Sequence, residues 1–155
     1  MGSFTVTYGP GFRLAKPVDM RKKVETLQEE ISKMPQYEPP TKHYFHAGMY
    51  CREVFRPAGA LIVGRVHKKE HFYLIANGTV TITTDTGVET FTGPHVVMSK
   101  PGTKRAVYAQ TDATCMTFHV TDVKTVEDAE VEMVEPEKIK LFDANNKLKE
   151  IEVAL

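Results

Sequence analysis

Two histidines, His67 and His71, lie in the stretch Gly64-Arg65-Val66-His67-Lys68-Lys69-Glu70-His71-Phe72-Tyr73-Leu74-Ile75-Ala76-Asn77-Gly78. A neutral imidazole offers a lone pair to a metal, so two that can be brought together begin a metal site. On a helix H-x-x-x-H makes such a pair, but Gly64 and Gly78 flank this one and β-branched residues surround it, which favours strands. Residues two apart on a strand share a face, so Arg65 and His67 point together, about 7 Å apart. A tight turn over Lys68-Lys69-Glu70 carries His71 onto the facing strand, where paired residues sit about 5 Å apart. Two imidazoles at that distance can share a metal.

A third ligand depends on one choice of face. In Thr114–Val120, Cys115, Thr117 and His119 alternate with Met116, Phe118 and Val120. Alternation gives the two faces but not which is inside. Inward, His119 joins His67 and His71; outward, it is a surface residue. Glu70 could add a carboxylate, although alternation beside His71 turns it outward. His43, His46 and His95 have no partner spacing and read as surface or packing residues. Two or three imidazoles suit a divalent metal such as Zn, Fe, Mn, Ni or Cu, with a position left for water or substrate.

Arg65 and Arg105 suggest different chemistry. Arginine stays charged, and its planar fork fits carboxylate or phosphate, so two of them at a barrel mouth would favour a small anion. Tyr73 belongs with them as a ligand contact, and Tyr73 or Tyr108 could assist a histidine in acid/base work. The plainer expectation is that both arginines pair with acidic groups such as Glu53 or Asp112.

The elements that must position these residues fall into three regions. Residues 1–40 form an N-terminal arm with a helix over about 19–34. Met20, Val24, Leu27, Ile31 and Met34 share one face of it, Asp19 is a fitting N-cap, and Pro35 ends the run. Residues 41–122 alternate β runs with turns: Tyr44–Phe55, Ala60–His67, His71–Ala76, Thr79–Thr84, Val88–Phe91, His95–Met98, Arg105–Ala109 and Thr114–Val120. Asn77-Gly78 is the strongest hairpin signal among them. Eight short strands without an intervening helix predict a closed or two-sheet β architecture such as a jelly roll. Residues 123–155 form a charged extension, in which 139–142 and 148–153 could make a further hairpin.

The bulk composition removes several classes of function. The chain has 155 residues, enough for one domain, with 20 basic and 20 acidic residues, so no overall field draws it to nucleic acid or anionic membrane. Cys51 and Cys115 have no paired or nucleophile pattern and suit a reducing compartment. No stretch approaches a membrane span of roughly 18 apolar residues, and the first residues lack the apolar core of a signal peptide. A soluble, cytoplasmic protein is expected. Neither a P-loop nor G-x-G-x-x-G is present, so no nucleotide cofactor is indicated; G-x-S-x-G is absent too.

Across about residues 44 to 120 the chain resembles the cupins. The order of glycine, strand, histidine, short turn, ligand position and glycine, then a hairpin and a Pro-Gly turn, is similar to the two cupin motifs. Anchoring the first motif on Gly78 puts its glutamate on His71, its second histidine on His67 and its first on Arg65. The second motif, approximated by Lys100-Pro101-Gly102-Thr103-Lys104-Arg105, puts its histidine on Arg105. One ligand position matches, one is exchanged for another possible ligand, and two are arginines. The resemblance implies an all-β, cupin-type jelly-roll barrel with an N-terminal amphipathic helix and a C-terminal extension.

The phrasing from Gly59 to His71, with Pro101–Tyr108 and Phe118-His119, looks still closer to uncharacterised cupin-like proteins encoded by tailed bacteriophages. This implies a viral origin, in host cytoplasm or virion, and supplies no activity. Two functions stay open: a homo-oligomeric barrel binding a small ligand with or without metal, or a structural protein of a virus particle whose termini grip other virion proteins.

Overall fold

The computed structural model describes residues 20–137 and 140–149. The proposed N-cap Asp19, the rest of the arm before it and the far end of the second tail strand lie outside them.

Helix α1 (Met20–Ser32) forms where the apolar spacing predicted it. Val24 is fully buried and Leu27 and Ile31 are half-buried, whereas Met34 falls beyond the last turn and is exposed. The polar side of the helix is fastened as well: Arg21 donates to Glu135 at 2.9 Å and Gln28 to Glu137 at 3.2 Å.

Nine strands follow: β1 (Thr41–His46), β2 (Met49–Arg56), β3 (Leu61–Val63), β4 (His71–Asn77), β5 (Thr79–Thr84), β6 (Gly87–Thr92), β7 (His95–Ser99), β8 (Ala106–Ala109) and β9 (Ala113–Val120). Pairing is nested, β2 with β9, β3 with β8, β4 with β7 and β5 with β6, as in one long hairpin folded back on itself. Rolling that hairpin adds β4 to β9 and β5 to β8. The result is a five-stranded sheet, β1-β2-β9-β4-β7, facing a four-stranded sheet, β3-β8-β5-β6. That is a jelly roll. The all-β architecture expected from the turn spacing is present, with helices at both ends.

Two β runs differ from expectation. Tyr44–Phe55 is two strands, because Ala47 and Gly48 take positive φ (50° and 72°) and close a two-residue turn pairing His46 with Met49. Ala60–His67 keeps its ladder only over Leu61–Val63; beyond it, His67 forms an isolated bridge with Val134. At the predicted Asn77-Gly78 turn, Gly78 has φ 82°, and a Cβ there would lie 2.2 Å from the Asp112 carbonyl oxygen. Only glycine lets the β4–β5 turn lie against β9.

The charged extension contains a second helix, α2 (Val126–Met133), which the sequence reading did not expect. Thr125 caps it, accepting a hydrogen bond from the Asp128 amide at 3.2 Å. Ala129 and Met133 pack with Tyr50, Phe45, Val123 and Val134, closing one end of the barrel. The other end is filled by Tyr73, Ile75, Val80, Ile82, Val107, Ala113 and Cys115. Phe142 and Leu148 then bridge around a turn in which the Asp143 carboxylate accepts from Asn145 and Lys147 amides, a minimal version of the tail hairpin.

Candidate metal centre

Between the two apolar ends the barrel interior is polar. Strand alternation puts Tyr50, Arg52, Val54 and Arg56 of β2 inside, opposite His119, Thr117, Cys115 and Ala113 of β9. The face of β9 that carries His119 is therefore the inner one, and His119 is only 3% exposed. His71 starts β4 on its inward face, two residues before Tyr73.

His67 has no strand to hold it and is pinned by loops on both sides. Its amide donates to the Thr103 carbonyl at 3.1 Å, and its carbonyl accepts from Gly102 at 2.8 Å. The neighbouring Lys68 amide donates to Met133 and the Glu135 amide to Val66, at 2.7 and 2.9 Å. The C-terminal extension thus builds one wall of the site.

The three rings converge, with centroids 4.2 Å apart for His67–His71, 4.4 Å for His71–His119 and 5.2 Å for His67–His119. One nitrogen from each can be chosen so that all three lie within 4.8 Å of one another. His67 Nδ1 and His119 Nε2 are 3.1 Å apart. Two ligands about 2.1 Å from one metal place their nitrogens roughly 3 Å apart, so this pair is already at ligand spacing. His71 Nδ1 faces the Lys69 carbonyl at 3.1 Å; donating to it leaves Nε2 with a free lone pair.

The rings are also held neutral. Burial, reinforced by His71, His119, Arg52 and Arg105, drives His67 down to about 2. Burial, then His71, Lys69 and Arg52, drives His119 down to about 3, against a small opposing effect of Glu132. Burial lowers His71 as well, opposed by the Lys69 carbonyl and helped by Arg105. Metal ligation needs unprotonated imidazole, so the donor set fits a first-row divalent ion with room for a further ligand.

The other sequence candidates lie near this cluster in different states. Arg65 is taken: Nη1 donates to Glu130 and Nη2 to the Glu135 carbonyl at 2.7 Å. Glu53 instead faces Lys42 at 3.8 Å, and Asp112 accepts from the Ala58 amide at 2.9 Å, so neither pairs with Arg65 or Arg105. Arg105 donates to the Thr83 carbonyl and to Ser99 Oγ, at 3.1 and 2.7 Å. Its guanidinium carbon stands 5.6 Å from the ring centre of Tyr73, which is buried, whereas Tyr108 is exposed on the outside. His43 bonds the Tyr50 hydroxyl at 2.6 Å, His46 and His95 are exposed, and Glu70 points to solvent.

A cavity of about 500 Å³ leads from beneath α1 and the 141–146 turn down to Tyr50, Arg52, His67 and His119. That volume suits a small molecule. Its walls include Glu130 and Met133 of α2, which the sequence reading passed over. Thr125-x-x-Asp128 before an apolar pair was the available signal for that helix.

No protein-family model matches the sequence, and neither does any curated protein. Cupins are among the solved structures that resemble it. A cupin superfamily protein from Desulfitobacterium hafniense is 15% identical, covering 59% of this chain and 86% of its own, with a TM-score of 0.48. An RmlC-like cupin from Shewanella frigidimarina is 11% identical over 59% of this chain and 83% of its own, at 0.49. The Schizosaccharomyces pombe Cnp3 cupin domain is 16% identical over 59% and 72%, at 0.47. At such values the likeness says nothing of substrate, and the jelly roll is established by the strand pairing itself.

Proposed function

We propose that the protein binds a first-row divalent metal through His67, His71 and His119 and presents it to a small, anionic ligand entering through the large cavity. The convergence of three neutral imidazoles, His71 and His119 buried and His67 half-buried, carries this reading. A metal so held polarises an oxygen ligand or acidifies a bound water. Zn, Fe, Mn and Ni all suit imidazole donors. The Lys69 carbonyl orients the His71 ring, and the surrounding residues line the approach.

Elemental analysis of the purified protein is expected to find about one metal per chain, lost in His67→Ala/His71→Ala while the fold persists. A metal-free wild type under metal-replete conditions would overturn the proposal. The resemblance to phage-encoded cupin-like proteins supports a viral origin, with host cytoplasm or virion as location. Among the described residues no helix is long and apolar enough to cross a membrane.

A second observation supports self-association. On the outer face of the five-stranded sheet, Tyr44, Cys51, Phe118, Phe72 and Met98 form one cross-strand row spanning every strand. Val120 is 80% and Met98 79% exposed, and Val96 and Met49 extend the patch. The face is nearly uncharged, with Lys42 and Glu53 as an opposed pair, so a second copy of the same face complements it. Met98→Glu with Val120→Glu is expected to convert a dimer to monomer in light scattering coupled to size exclusion. A wild type already monomeric at tens of micromolar would refute this. A scaffold role in a virus particle would draw on the same face, but gives the histidine cluster nothing to do.

A further inference from the structure

Three buried guanidinium groups, those of Arg52, Arg56 and Arg105, have no part in holding a metal. Arg52 and Arg56 occupy alternate inward positions of β2, and Arg105 immediately precedes β8. With Tyr73, Cys115 and Thr117 they line a pocket of about 90 Å³ whose wall also includes His67 and His71.

No carboxylate of the described residues neutralises these groups, although Arg105 donates to Thr83 and Ser99 and Arg56 has the polar side chains of Tyr73 and Cys115 beside it. Among the described residues, no ion pair with a carboxylate reaches any of the three; Glu130 is taken by Arg65 and Lys140, and Glu137 by Lys104. Arg52 Nε, Arg56 Nε and Nη1, Arg105 Nε and the Tyr73 hydroxyl are buried without a hydrogen-bond partner. Arg56 is only 8% exposed and Tyr73 5%. A buried cation without a partner is strongly unfavourable, and so is each unused buried donor. An anion in the pocket would meet both needs at once.

We propose that Arg52, Arg56 and Arg105 form an oxyanion subsite that takes a compact carboxylate or phosphate group of the ligand. Guanidinium forks match the paired oxygens of either group. The pocket holds roughly the volume of three waters, enough for such a head group and too little for a ring. The rest of the ligand therefore occupies the larger cavity, which shares Arg52, Arg56, Arg65 and His67 with the pocket. That the same ligand also meets a metal rests on the function proposed above; the anion subsite does not.

Thermal denaturation of chelator-treated, metal-free protein tests this, with malonate or inorganic phosphate compared with chloride at equal ionic strength. A hundredfold excess over Kd is expected to raise Tm by roughly 5–10 °C. Arg56→Gln and Arg52→Gln should lose the response. Arg56→Lys, which retains charge without the fork, should weaken it. A response to phosphate alone, or to malonate alone, identifies the head group and supports the subsite. Equal Tm in malonate, phosphate and chloride overturns it, and that comparison needs no variant. An unchanged response in Arg56→Gln overturns it too. Metal binding without an anion response would remove the subsite and leave the metal centre standing; an anion response without metal would do the reverse.

Discussion

Glu137→Ala is expected to lower stability by about 3–5 kcal/mol, a fall of roughly 10 °C in Tm. The Lys104 side chain is only 3% exposed, and its ammonium lies 2.9 Å from the Glu137 carboxylate, itself mostly buried. The same carboxylate accepts from Gln28 of α1 and stands 3.8 Å from Arg65 Nε. Removing it strands a cation in the interior, and stranding one partner is what makes broken buried pairs costly. It also loosens α1, which Arg21 ties to the same segment through Glu135. Glu53→Ala is the control: its partner Lys42 is 3.8 Å away and 72% exposed, so less than about 0.5 kcal/mol should be lost. Lys104→Met added to Glu137→Gln should recover most of the loss, because neither charge then remains buried. Urea denaturation of the three variants beside the wild type measures all of this; equal losses at Glu137 and Glu53 would show that the buried pair does not hold the extension.

The strands and the pairing of His67 with His71 were legible because both follow from local rules. Turn residues punctuate the β runs, and the short step from His67 to His71 forces the two rings together. The orientation of His119 was not legible, since alternation within β9 is symmetric until the opposite sheet and α2 decide which face is covered. Arg52 and Arg56 escaped notice for a related reason: in Tyr50-Cys51-Arg52-Glu53-Val54-Phe55-Arg56 the inward face carries charge and the outward face carries Cys51 and Phe55. That inverts the usual pattern of a half-buried strand, and a sequence reading that takes polar for outside passes over it. The partners of Arg65 were hidden by distance along the chain, as Glu130 and Glu137 lie in an extension that looked like a solvated charged segment. Its capping signature at Thr125 and Asp128 was local and readable; its role as a wall of the site was not.

Metal-free protein is expected to lose stability as pH falls from 7 to 5, before its carboxylates titrate. His67 and His119 are driven down to about 2 and about 3, in each case first by burial and then by neighbouring charge, and His71 is lowered by burial too. In the unfolded chain the same rings titrate near 6.5. Their contribution is therefore fully present above that value. On acidification the unfolded state takes up protons that the native rings refuse, and stability drains away from about pH 6.5 toward the lowered native values. Each ring adds a slope of roughly 1 kcal/mol per pH unit in that window. Glu130 and Glu132 act in the same direction only at lower pH. Burial would raise Glu130, but its bonds to Lys140 and Arg65 lower it, and Glu132 is lowered by Lys69 and Thr121. Urea denaturation at pH 7, 6 and 5 therefore isolates the histidines, among them His43, which burial also lowers, and His119→Gln should reduce the slope by one ring's share. Bound metal should steepen it, since protons and metal compete for the same lone pairs. A flat profile in the metal-free wild type would mean that the folded protein accommodates imidazolium at this site, and the case for three neutral ligands would fall with it.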